Sequence, residues 1–290
     1  MASHDTAFLG VPLPIHHVAV SKKSPQCLKR PSISRSCFIL GRRARNSYHV
    51  QVNYLIRNQV IYCSASEWES LTVDAFNDKI QSNCLPLCLV GMSNCGKSHW
   101  STQLMLHRNF HRICVDDLIE QAIKPELSKL SYSGIDGMAK WMGFPSDEQF
   151  NARQNRYLMH EGRITSSAIP KANANTVLDT TGSVIYLNDS TLERLKNDYL
   201  VIHLKATDDM LEGLTQNFFE TPKPVVWGDT FHREEHETPM DAIRRCYPIL
   251  LRDRRERYAE LAHITIPATF SLSREVDLEE FLEYLCKQLH

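Results

Sequence analysis

From Glu67 onward, the apolar positions of this chain fall into short runs separated by longer stretches at helical spacing. Leu85–Gly91 (LPLCLVG) is a continuous apolar run ending on glycine, the pattern of a strand buried on both faces. His111–Val115, Thr176–Asp179, Leu200–Leu204 and His263–Ile266 predict four further strands. Helical spacing appears in Leu118–Ile123, Ser190–Lys196, Met240–Ala262 and Val276–Leu289. Asp147–Ser167 is a longer polar helix with apolar points at Phe150, Tyr157, Leu158 and Ile164. Strand and helix alternate, so the expected class is α/β: a three-layer sandwich with a mostly parallel five-stranded sheet and helices on both faces. Ligands of such folds gather beyond the carboxyl ends of the strands.

The first 66 residues break the pattern. They carry nine basic residues and one acid, Asp5, with many serines and no sustained period, leaving 24 basic and 33 acidic residues for the rest of the 290. This is the composition of an organellar transit peptide, with Ile61-Tyr62-Cys63 before Ser64-Ala65-Ser66 as a candidate processing site. A disordered basic tail or a mistaken gene start fits the same composition. The expected location is a plastid or mitochondrion if the segment is a transit peptide, and the cytoplasm otherwise. Residues 67–290 form the expected folded domain. The basic segment lacks interleaved aromatics, so nucleic acid is not an expected partner. No apolar run reaches the roughly 20 residues of a membrane helix, and the nine cysteines show neither disulfide-scaffold nor zinc spacing. Reduced thiols and a monomer are expected.

Chemistry concentrates in Gly91-Met92-Ser93-Asn94-Cys95-Gly96-Lys97-Ser98, which matches G-x-x-x-x-G-K-[ST] between a strand and a helix. Glycines let successive N–H groups curl around phosphate oxygens, and the following helix adds its positive end. Lys97 then serves the β- and γ-phosphates of ATP and Ser98 serves Mg²⁺. Cys95 reads as a small loop residue rather than a nucleophile. Asp116 and Asp117 follow the second strand at the same sheet edge, where a carboxylate can orient an acceptor hydroxyl and take its proton. Either could instead cap the helix that begins there. Asp179 ends the third strand as the acid that holds Mg²⁺ through water, followed by the hydroxyl-rich turn Thr180-Thr181-Gly182-Ser183. The segment Glu220–Pro239 is irregular and proline-rich, either a lid over the phosphate site or a surface excursion. Arg252, Arg254, Arg255 and Arg257 cannot all face one way on a helix, so most are surface charge.

These motifs in this order resemble the shikimate kinase family, within the nucleoside-monophosphate-kinase type of P-loop fold. The resemblance spans about Leu85 to Leu289 and rests on Gly91–Ser98, Val115–Glu120, Leu178–Val184 and Arg254–Tyr258. It implies ATP-dependent phosphorylation of a hydroxyl on a small carboxylated ring, with Mg²⁺ and a closing lid. On that pattern Asp116 falls on the acid that binds the acceptor hydroxyl. Arg254 falls on an arginine that helps hold the acceptor carboxylate, Gly182 on the turn beside the substrate ring, and Lys223-Pro224 on the lid's Arg-Pro pair. The chain departs from the family at four points. Cys114 stands where the family has its first acid, and Phe150-Asn151 where it has Phe-Arg, with Arg153 and Arg156 as candidates to compensate. Thr180-Thr181-Gly182 replaces a triple glycine, and the lid stretch Glu220–Thr230 has Lys223 but no arginine. The phosphate machinery is whole and the acceptor pocket is rebuilt. Three readings stand: a small-molecule kinase with an altered acceptor, a non-catalytic nucleotide-binding module, and a P-loop ATP hydrolase.

Overall fold

The computed structural model describes residues 65–289. The extension expected for residues 1–66 therefore lies outside the described residues, except for Ala65 and Ser66 at the start of helix α1 (Ala65–Glu69). Helix α2 (Val73–Gln81) follows, capped by the Thr72 side chain. Five strands form the sheet: β1 (Pro86–Gly91), β2 (His111–Cys114), β3 (Thr176–Asp179), β4 (Leu200–Lys205) and β5 (Ile264–Pro267). They run parallel in the order β2-β3-β1-β4-β5. Every residue of the central β1 is buried, as its unbroken apolar run demands.

Helices cover both faces. Helix α3 (Lys97–Arg108) packs on β1, β2 and β3, while the long α9 (Pro239–Leu261) packs on β1 and β4. Helix α4 (Val115–Lys129) continues beyond the expected Leu118–Ile123, through Pro125. The sequence stops at the proline because it removes one intrahelical hydrogen bond; the buried Ile123 and Leu127 on either side hold the helix together past it. Helix α5 (Gly134–Met142) and helix α6 (Phe150–Ser167) complete a helical lobe with α4. Helix α6 starts three residues later than its periodicity predicts. Asp147 is used instead in a turn, where its carboxylate accepts from the Phe144 N–H at 2.8 Å. Helices α7 (Asp189–Asp198), α8 (Asp208–Glu220), the short α10 (Ala268–Ser271) and α11 (Leu278–Lys287) finish the fold. No helix among the described residues is long and apolar enough to cross a membrane.

The register sets the site. Leu89 and Cys114 both pair with Asp179, and Gly91 pairs with Leu204. The phosphate loop, the Asp116 turn and the Thr180 turn consequently leave the sheet side by side at one edge.

Candidate active site

At the end of β1 the chain must pass close beneath β4, and only glycine can make the approach. Gly91 has φ +143°, and a Cβ there would lie 2.7 Å from the Leu204 carbonyl oxygen. The loop then turns through Asn94 (φ 64°) and Gly96 (φ 97°) into α3. Lys97, the first residue of that helix, is buried, and its ammonium donates across the loop to the carbonyls of Gly91 (2.8 Å) and Met92 (2.9 Å). Burial pulls its pKa down, and Asp116 and Asp179 oppose that pull. Cys95 is buried beneath the loop with its thiol pushed up by burial, which suits the reading as a loop residue. Its carbonyl accepts from the Ser271 hydroxyl of α10 at 3.1 Å, and the Ser271 carbonyl accepts from the Trp100 indole at 2.9 Å. Trp100 in turn stacks on Phe281 of α11, with ring centroids 4.0 Å apart.

The loop opens on a cavity of about 910 Å³, and Met92, Ser93, Asn94, Gly96, Lys97 and Ser98 form one side of it. Asp116, Gly182, Lys223 and Arg254 line the same cavity. Five separate stretches singled out in the sequence thus meet around one space. Gly91, Cys95 and Asp179 do not line it; they lie behind its wall.

The two aspartates divide their roles. Helix α4 begins at Val115 with Cys114 at its N-cap, so neither acid caps it. Asp116 faces the cavity, accepting from the Tyr157 hydroxyl at 3.2 Å. The protein packed around it pushes its carboxyl above the usual range, against the pull of the Lys97 ammonium. Asp117 also lines the cavity and lies 3.7 Å from Arg112, and both acids are exposed. Asp179 is buried, and its Oδ2 accepts from Ser101 at 2.9 Å and from the Arg112 guanidinium at 2.7 Å. Its Oδ1 has no hydrogen-bond partner among the described residues.

Elsewhere in the cavity wall, Arg254 is buried, donates to the Val226 carbonyl and lies over the Tyr186 ring at 5.4 Å. The other three arginines do not line the cavity: Arg255 is half-buried and pairs with Asp208 at 2.7 Å, while Arg257, over the Tyr186 ring at 5.2 Å, and Arg252 are exposed. The proposed compensation for Asn151 is not found. Arg156 pairs with Glu126 at 2.5 Å and Arg153 bonds Gln149, and neither lines the cavity. Helical rotation explains this: Arg156 projects from the far side of α6, and Arg153 lies on the flank of its buried stripe.

The irregular stretch after α8 is firmly seated in this structure. Trp227 is buried, its backbone N–H donates to the Gln154 side-chain carbonyl at 2.6 Å, and its ring meets Phe218, Phe231 and Tyr247. Lys223 extends from this stretch to Asn94 of the phosphate loop, 3.0 Å away.

Two groups escaped sequence reading. Glu161 on α6 is fully buried, taking hydrogen bonds from Thr181 and, at 2.6 Å, from Ser183. Burial pushes its carboxyl up to about 7, although both hydroxyls pull the other way. Tyr157 lies one turn before it, between the two acids. Burial and both negative charges raise its phenol well above the ordinary range, so it stays a proton donor. A signal existed: Phe150, Gln154, Tyr157, Glu161 and Thr165 are the buried stripe of α6, and polar residues at such positions mark a built interior network.

The parallel 2-3-1-4-5 strand order, with the phosphate loop after the central strand, decides the architecture. The fold is a parallel α/β sandwich of the P-loop type. No protein-family model matches the chain, and no curated protein matches it significantly. Solved structures similar to it include the shikimate kinase of Acinetobacter baumannii in complex with shikimate. That match is 20% identical over 71% of this chain and 94% of the other, with a TM-score of 0.45. The shikimate kinase of Bacteroides thetaiotaomicron is 15% identical over 70% and 96%, with a TM-score of 0.43. Deoxyadenosine kinase from M. mycoides with bound dCTP is 12% identical over 70% and 96%, with a TM-score of 0.33.

Proposed function

We propose that this protein is an ATP-dependent kinase that phosphorylates a hydroxyl of a small molecule. The observation that carries the reading is the meeting of Lys97 and Asp116 across one cavity, close enough for each charge to shift the other's pKa. A phosphate-binding ammonium and a hydroxyl-orienting carboxylate facing the same space are what phosphoryl transfer requires, because the step is governed by positioning and charge. Asp116 orients the acceptor hydroxyl and takes its proton, and the Tyr157 hydroxyl fixes the carboxylate's direction. Gly182 gives the acceptor a close backbone approach, and Arg254 offers a cation to an acidic group on it. The unpartnered Arg254 Nε, buried in the cavity wall, fits that role.

The residues present also fit a magnesium ion. Ser98 offers an exposed hydroxyl in the cavity lining, and Asp179, behind the wall with one unpartnered carboxylate oxygen, would reach the ion through water. When bound, Mg²⁺ neutralises charge on the β- and γ-phosphates. The pairing of Asp179 with Arg112 supports a second reading, a module that binds nucleotide without turnover.

Measuring ADP release with and without a panel of ring acids, sugars and nucleosides separates these readings. Release that depends on an acceptor supports the kinase. Acceptor-independent release means a hydrolase, and binding without release means a module.

A further inference from the structure

Among the described residues that line the cavity, Arg112 is a cation that no motif accounts for. It stands on the edge strand β2 and lines the cavity together with Lys97, Ser98 and Cys114. Its guanidinium spends every nitrogen on neighbours of the phosphate loop. Nε donates to Ser101 at 2.8 Å, Nη2 donates to Asp179 at 2.7 Å, and Nη1 lies 3.7 Å from Asp117. The side chain is about one-fifth exposed, while its main partner Asp179 is 2% exposed, so the pair is poorly screened by water. Cys114, beside Arg112 at the end of the strand, contributes a thiol where a carboxylate would add negative charge. The fixed charges around the phosphate loop are thus Asp116, Asp117 and Asp179 against Lys97, Arg112, Lys223 and Arg254, so the acids do not outnumber the cations.

A divalent ion normally relieves repulsion between nucleotide phosphates and the acids beside a phosphate loop. Here a covalently tethered cation already neutralises the nearest buried acid. We propose that Arg112 takes over this charge-neutralising work, so that nucleotide binds with little dependence on Mg²⁺. The proposal rests on the reading of Gly91–Ser98 as a phosphate site. Arg112 acts through Asp179 and is therefore a positioning residue. Its effect belongs to binding, whatever the acceptor and whether or not turnover follows.

The test is calorimetric titration of the full chain with ADP, once in EDTA and once in excess Mg²⁺. The wild-type Kd should change by less than about threefold between the two conditions, a difference of under about 0.7 kcal/mol. Arg112→Met should weaken binding about tenfold or more in EDTA and far less in Mg²⁺, because it frees the Asp179 charge for the ion. Removing one partner of a buried pair can also destabilise the fold. The double variant Arg112→Met/Asp179→Asn removes both charges and should restore a Kd insensitive to Mg²⁺, which a merely structural role would not do. A wild-type Kd that is about tenfold or more tighter in Mg²⁺ overturns this proposal alone. So does equal weakening of Arg112→Met in both conditions, or a double variant that stays Mg²⁺-dependent. Absence of ADP binding in both conditions overturns the phosphate-site reading, and this proposal with it.

Discussion

Glu161 provides the sharpest quantitative test of the site. Its carboxyl is raised from 4.5 to about 7 by burial, with Asp116 adding to the rise and the Thr181 and Ser183 hydroxyls opposing it. A shift of that size corresponds to about 3 kcal/mol between the protonated and ionised forms. The folded state holds this proton while the unfolded chain has already released it, so between about pH 4.5 and about pH 7 the native state binds more protons. Stability therefore falls as pH rises through that window, and the loss is constant above it. Glu161→Gln removes the ionisation and keeps the length, and an amide can still pair with two hydroxyls because hydroxyls both donate and accept. Urea unfolding of both proteins, followed by circular dichroism from about pH 4.5 to about pH 8, gives the comparison. The variant should gain on the wild type by up to about 3 kcal/mol across the window. Other titrating groups cancel in the difference, apart from Asp116, whose charge couples to Glu161 and broadens the transition. A difference that stays flat with pH would refute the reasoning. A difference that grows as pH falls would mean that the two hydroxyls hold Glu161 ionised throughout.

Further outcomes follow from the same geometry. Lys97→Ala should abolish nucleotide binding measured by calorimetry while circular dichroism shows the fold retained, since Lys97 bonds only the loop it belongs to. Asp116→Asn should cost acceptor-dependent turnover at least about a hundredfold, in the range of a lost general base, with ADP affinity nearly unchanged. Asp117→Asn should cost little, and steady-state kinetics on the two variants decides the order. Trp227→Ala should destabilise the protein by about 3–5 kcal/mol in denaturant titration, the usual range for a buried tryptophan. It would also release Lys223 from Asn94.

Much of this architecture was legible in the sequence because the relevant signals are local. An apolar run ending at Gly91 is a strand entering a tight turn, and the fixed spacing to Lys97 and Ser98 names the turn's work. The same holds for Asp116, placed by its distance from β2. What stayed hidden depends on contacts between segments far apart in the chain. Arg112 looked like one more polar residue on an edge strand until β3 brought Asp179 alongside. Glu161 was hidden in a helix read only for its apolar points, although its spacing from Tyr157 puts it on the buried stripe. Helix α8 was missed because its N-cap Thr207 precedes two aspartates and a glycine-interrupted pattern that weakens the helical period. The stretch 221–238 has no regular structure, and nothing in its composition says that Trp227 anchors it.

The clasp between Ser271 and the Cys95 carbonyl joins residues 176 positions apart, and this bears on how the molecule is made. A ribosome releases the phosphate loop well before its clasp. Until α10 and α11 emerge, Trp100 lacks Phe281 to stack on and the loop lacks the hydroxyl that holds its carbonyl. A nascent or truncated copy ending before Ala268 would carry the whole Gly91–Ser98 motif without the clasp. Contacts of such long sequence separation form late in folding, so ADP added during refolding should accelerate none of the early steps and stabilise only the product.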